Sequence, residues 1–233
     1  MRNQTRIIIE NVKPQLDNGA FAIKRIVGQY IHVTADVFGD GHDLIEVALK
    51  YKHESDKNWS EVRMKPTQND GYEATFQVEK QGFYTYQIEG WVDYALNWQH
   101  GTERKIHDSQ HVKSELLEGA EYVKAIQKQA TKEEKVYLKE VEKIFKSEKD
   151  YHEAIQHAMS PELTAIFKKY PERFLANTSA ELQAYVDRKK ALFSTWYEFF
   201  PRSASREPGK HGTFKDCERL LPRVAEMGFD TLY

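Results

Sequence analysis

Cysteine is almost missing from this chain: Cys217 is the single one among 233 residues. No intrachain disulfide can form, and no cysteine-based zinc site can be built within one chain, which fits a reducing cytoplasm. Long apolar runs are missing too. The stretch Ile7 to Ile9, after Arg2 and Arg6, is too short for the core of a signal peptide. Nothing approaches the roughly 18 apolar residues of a membrane helix, so no membrane partner is expected. The third absence is a dominant charge. With 34 Lys and Arg against 36 Asp and Glu, the formal net charge is -2, and no overall field recommends nucleic acid or an anionic membrane. What remains is 40% hydrophobic, 12% aromatic and 30% charged, a globular composition with room for one large domain or two moderate ones.

Turn residues are unevenly spread, and their distribution divides the chain into three zones. From Arg6 to about Arg104, short β-prone runs such as RIIIENV, YIHVTADVF, LIEVALKYKH, YEATFQVE and FYTYQIEGWVDY are broken by LDNGA, GDGHD, SDKN, QNDG and KQG. Alternation puts Tyr72, Ala74, Phe76 and Val78 on one face and Glu73, Thr75, Gln77 and Glu79 on the other. Six or seven such strands at short, even spacing predict an immunoglobulin-like antiparallel β-sandwich without its disulfide.

From about Ser109 to Lys190, turn residues nearly vanish and Ala, Glu, Lys, Gln and Leu dominate. Val112, Leu116, Leu117 and Ala120 recur at helical spacing, as do Ile126, Ala130, Val136, Tyr137, Val141, Ile144 and Phe145. Breaks fall near SEKDYHEA and at SPELTAIFKKYPERF and ANTSAELQAYVDRKKALF. Ser160 followed by Pro161 marks a helix start, and Thr178 or Ser179 is placed to cap a last helix. Three or four amphipathic helices predict a bundle.

Phe193 to Tyr233 changes character again. STWYEFFPRS reads as an aromatic strand and ASREPGKHG as a loop. TFKDCERLLPRVAEMG reads as a helix capped by Thr213 and closed by Gly228, and FDTLY as another strand. Strand, helix, strand is a βαβ unit, and its parallel strands need both faces covered, so one unit is not a domain. The reading is of a chain cut off just inside a larger fold.

The residues of this third zone, WYEFFPRS and then HGTFKDCERLLPRVAEMGFDTLY, resemble the opening of an α-amylase-superfamily barrel. With KRIVGQYIHVTADVFGDGHD, NDGYEATFQVEKQGFYTYQIEGWVDYALNWQ and ELLEGAEYV upstream, nearly the whole chain resembles the α-1,4-glucan:maltose-1-phosphate maltosyltransferases. The resemblance implies an N-terminal sandwich over residues 1–106, a helical bundle over 107–191 and the start of a truncated (β/α)8 barrel over 192–233. It implies a retaining transferase moving maltosyl from maltose 1-phosphate to the non-reducing end of an α-1,4-glucan, with release of phosphate. It also implies a homodimer and no cofactor or metal. The family's paired carboxylates sit on later barrel strands, so no catalytic residue is carried onto this chain.

Several residues invite a functional reading nonetheless. Trp91, Tyr94 and Trp98, with Tyr84 and Tyr86 upstream and Trp59 apart, could stack on sugar rings, although aromatics in strands more often form core. Asp40 to Asp43, DGHD with Asp36 nearby, suggests a metal, yet neighbours on one turn rarely converge on an ion and a braced loop is the expectation. Glu198 and Arg202 fall on the expected first barrel strand and read as structural. Lys210 and His211 fall on the following loop, at the end where such barrels build their sites. The alternative function is a carbohydrate-binding or dimerisation module of another enzyme in the superfamily, a hydrolase or branching enzyme.

Overall fold

The computed structural model describes residues 6–147, 149 and 151–233. Arg2, and Glu148 and Asp150 of the expected break, lie outside the described residues. Two sheets face each other in the N-terminal zone. The first holds β1 (Ile7–Lys13), β3 (Tyr30–Gly39), β7 (Gly71–Gln77) and β6 (Lys65–Pro66), all antiparallel and in that order. The second runs β2 (Ile23–Ile26), β10 (Leu182–Asp187), β8 (Gly82–Val92), β4 (Ile45–His53) and β5 (Ser60–Arg63), with β9 (Asn177–Thr178) also beside β8.

Period-two alternation turns one row of each strand inward. Ile31, Val33, Ala35 and Val37 meet Val47, Leu49, Tyr86 and Ile88 in one core, and Phe76 packs against Tyr51, Tyr84 and Tyr86. Ala74, Phe76 and Val78 are buried as the alternation predicts, with Tyr72 packed at the core's margin.

Five helices follow: α1 (Tyr94–His107), α2 (Lys113–Ile126), α3 (Lys132–Lys146), α4 (Tyr151–Ala158) and α5 (Pro161–Lys169). Their starts are set locally. The Asp93 carboxylate accepts from the Leu96 amide, Thr131 and Glu134 form a reciprocal capping box, and the Ser160 hydroxyl accepts from the Leu163 amide with Pro161 opening α5. Their apolar faces enclose a second core of Trp98, Leu116, Val123, Leu138, Phe145, Leu163 and Phe167.

Two expectations are corrected. Tyr94 and Trp98 lie on α1, not on a continuation of β8, because past the Asp93 cap the spacing of Ala95, Trp98, Thr102 and Ile106 is helical. Residues 177–187 form no helix capped by Thr178 or Ser179; they return to the sandwich as β9 and β10. Leu182, Ala184 and Val186 are buried while Gln183 and Tyr185 are exposed, an alternation that only a strand can turn toward one core. β10 lies between β2, to which it is parallel, and β8, to which it is antiparallel.

The last zone forms a strand, helix, strand unit. β11 (Trp196–Tyr197) and β12 (Thr231–Leu232) pair in parallel, and α6 (Phe214–Glu226) lies between them in sequence. β11 is shorter than the aromatic run that predicts it, since Pro201 begins a 3-10 turn over 201–204. The Asp216 carboxylate accepts from the amide and hydroxyl of Thr213, and Gly228 follows the helix at φ +84°, a conformation that favours glycine.

Candidate functional site

A dense polar cluster sits where the helices close over one end of the β8 sheet. Trp91 ends the outward row of β8 and is fully buried. The Arg63 guanidinium lies 4.4 Å from the centre of its ring and that of Arg173 lies 4.2 Å away. Arg63 comes from β5 and Arg173 from the segment after α5, so the indole is gripped by cations from both halves of the chain.

Each cation is held in turn. Arg173 donates to Glu61 and to Glu89, both at 2.5 Å. Arg63 donates to Glu46 at 3.1 Å and to the Lys168 carbonyl at 3.1 Å. Lys50 lies 3.6 Å from Glu89. The environment shifts these groups in opposite directions. The hydrogen bond from Arg173 holds Glu61 below its ordinary range, whereas burial pushes the Glu46 and Asp93 carboxyls up and the Arg63 guanidinium down. Burial also pulls on Arg173, but Glu61 and Glu89 leave it above its ordinary value. Arg63, Arg173 and Lys50 against Glu46, Glu61 and Glu89 make an interlocked joint, and each of these three carboxylates is engaged by a cation rather than free to attack or protonate a substrate.

Beside this joint a cleft of about 550 Å³ runs between the start of β4, α1 and α5, lined among others by Leu44, Glu46, Gln99, His100, Glu103 and Lys168. A second hollow of about 560 Å³ shares Leu44 and Glu46 with it. The Gln99 amide spans the helices, donating to the Ala158 carbonyl and accepting from the Thr164 hydroxyl, both at 2.9 Å. Asn97 ties the loop before β4 to α1 by accepting from the Leu44 amide at 2.7 Å and donating to the Leu44 carbonyl.

The residues singled out by sequence do not converge on one site. Trp98 is buried against Tyr122, Phe145 and Phe167, its indole donating to the Glu115 carbonyl at 2.6 Å. Tyr94 is half-buried beside the sandwich core. Tyr84 and Tyr86 lie inside that core, and the Tyr86 hydroxyl donates to the Pro14 carbonyl while burial pushes it up to about 12. Burial therefore leaves Trp91 and Trp98 without a ring face turned to solvent. Trp59 is half-buried with the Lys52 ammonium 4.6 Å from its ring centre.

In the DGHD turn, Arg6 takes Asp40 at 2.8 Å and Asp43 at 3.0 Å, which is the bracing role. Among the described residues no group of three His, Cys, Asp or Glu side chains is arranged to hold a metal. Glu198, Arg202, Lys210 and His211 are exposed, and Lys210 pairs with Glu207.

Sequence reasoning missed both the Arg63–Trp91–Arg173 stack and a pair of exposed rings, Phe83 and Tyr185, on the open part of the same sheet. The outward alternation of β8 was a signal for Phe83. Tyr185 was hidden by the helical reading of its segment.

Comparison with known proteins adds a family. The model of domain N/S of α-1,4-glucan:maltose-1-phosphate maltosyltransferase matches residues 5–188. A curated α-1,4-glucan:maltose-1-phosphate maltosyltransferase of Methylacidiphilum infernorum is 40% identical over 230 residues, covering 98% of this chain and 34% of that protein. That of Chlorobaculum tepidum is 41% identical over 229 residues, with 98% and 34% covered. That of Myxococcus xanthus is 36% identical over 235 residues, with 97% and 35% covered. The chain spans about a third of the length of these relatives.

Proposed function

The chain belongs to the α-1,4-glucan:maltose-1-phosphate maltosyltransferase family, and from that premise we propose that it forms the scaffold portion of an enzyme transferring maltosyl from maltose 1-phosphate to the non-reducing end of an α-1,4-glucan. Phosphate is the leaving group. The observation that carries this reading is the match along 98% of the chain to maltosyltransferases about three times its length.

Retention of anomeric configuration requires a carboxylate nucleophile and a second carboxyl as acid and base about 5 Å apart. The strongest carboxylate cluster here, Glu46, Glu61 and Glu89, is locked to Arg63, Arg173 and Lys50. We assign the two catalytic groups to the part of the longer proteins that this chain does not span. In this reading β11, α6 and β12 are the first βαβ unit of a (β/α)8 barrel. The exposed Trp196, Phe200, Phe214 and Tyr233 supply apolar surface for further barrel elements, and the sandwich and helices form a homodimer of cytoplasmic subunits.

The test is phosphate release from maltose 1-phosphate, measured with and without glycogen on the chain expressed with the rest of its reading frame. Release that requires glycogen is expected. Hydrolysis or branching of glucan without use of the phosphorylated donor overturns the donor assignment. Light scattering at high micromolar concentration reads the dimer, and a monomer there counts against it.

A further inference from the structure

The outer face of the second sheet is covered at one end and bare at the other. Where it is covered, Trp91 has planar guanidinium groups lying near its ring. Where it is bare, alternation along β8 and β10 turns Phe83, Thr85, Gln183 and Tyr185 outward, because Tyr84, Tyr86, Leu182 and Ala184 turn inward. Tyr185 pairs with Phe83 across the two strands, and Gln183 with Thr85. Lys52 of β4 sits on the far side of Thr85 and leans over Trp59. The two exposed rings have centroids 5.1 Å apart and planes inclined by 54°, with Phe83 exposed by 41% and Tyr185 by 37%.

We propose that this face is a noncatalytic binding site for α-1,4-linked glucan chains, with Phe83 and Tyr185 as the stacking platform and Gln183 and Thr85 as hydrogen-bonding partners for sugar hydroxyls. Pyranose rings present C–H faces that lie on aromatic rings and a rim of hydroxyls that amide and hydroxyl side chains satisfy. Successive α-1,4-linked units turn relative to one another, so a pair of rings inclined to each other suits them better than a flat one. Gln183 and Thr85 sit two residues along their strands from the rings, about 7 Å away on the same face. Lys24 beside Tyr185 and Lys52 beside Thr85 interrupt the apolar surface. A second protein would need a charge-depleted core and about 800 Å² on each partner, whereas an oligosaccharide needs only two rings and a polar margin. The inference rests on the glucan acceptor of the proposed function, and it names residues outside the aromatic group that the sequence singled out.

Electrophoresis of the 233-residue chain through native gels containing glycogen tests it, with maltoheptaose titrated calorimetrically for a dissociation constant. Wild type is expected to be retarded by glycogen. Phe83→Ala and Tyr185→Ala are each expected to weaken maltoheptaose binding about tenfold, the scale of one lost stacking ring. Phe193→Ala, an exposed ring elsewhere, is expected to leave binding unchanged, and circular dichroism checks that each variant is folded. Absence of retardation in the wild type overturns the proposal. So does retardation that survives both substitutions, or a change of mass in solution without a change in glucan affinity, which would assign the face to a second copy. Phosphate release by the longer chain is read separately, so either reading can fail alone.

Discussion

Gly119 lies on α2 where a Cβ atom would stand 2.0 Å from Cζ2 of Trp98. Alanine favours a helix over glycine by about 1 kcal/mol, but here the ring would have to leave its place among Phe145 and Phe167. Gly119→Ala is expected to cost about 2 kcal/mol net in urea unfolding; a gain would show that the ring has room to move. Arg173 serves Trp91, Glu61 and Glu89 at once. Arg173→Ala is expected to cost about 2 kcal/mol, since it leaves Glu61 with only Arg63 at 3.8 Å and Glu89 with only Lys50 at 3.6 Å, and Arg173→Lys should recover only part of it because a point charge cannot fork. Equal stability of the alanine variant and wild type would refute the joint.

Glu134 adds a pH dependence. Lys169, the Thr131 amide and Tyr170 together hold its carboxyl down at about 2. A carboxylate depressed in the folded state stabilises fully above its ordinary value near 4.5 and loses that contribution as pH falls toward 2. The Tm gap between wild type and Glu134→Gln should therefore be widest near neutrality and narrow through this window; a gap that is constant with pH excludes the role. Caps such as Ser160 and Thr213 were legible in sequence because a cap is a local hydrogen bond. The exposure of Phe83 was not, because alternation says which residues share a face and not which part of that face stays bare.

At the scale of elements, the fold was legible wherever pairing partners are near in sequence. β3, β4, β7 and β8 carry clean alternation between turn residues, and α2, α3 and α5 carry helical spacing between caps. β10 defeated the reading because its partners lie far from it: β8 ends at Val92 and β2 at Ile26. Its own six residues sit in a long stretch of helix-favouring composition, and tertiary pairing overrides that weak preference. A chain ended after Lys169 would lack the strand that joins β2 to β8. Its sandwich is expected to unfold with less cooperativity. Phe83 and Thr85 face β4, but the amides of Tyr84 and Tyr86 face β10 and should be left unprotected in hydrogen exchange. Native-like protection of those amides in the shortened chain would show that β10 is dispensable.

Over the whole molecule, residues 193–233 differ from what precedes them. Phe193, Trp196, Phe200, Phe214 and Tyr233 are all more than half exposed, and among the described residues β11 and β12 pair only with each other. Brief trypsin treatment is expected to cut first around Lys189, Lys190 or Arg202, leaving the sandwich and helices intact by mass spectrometry; first cuts within the sandwich would contradict this. The placing of β10 also bears on how the protein is made. A ribosome delivers β8 roughly 90 residues before it delivers Leu182, an interval on the order of 5–20 s at ordinary elongation rates. Throughout it the nascent sheet holds an open slot flanked by unpaired edges, while the helical insert emerges and collapses on its own core. A translational pause before residue 182 would lengthen that exposure, and a chaperone that shields strand edges would be needed during this interval rather than after release.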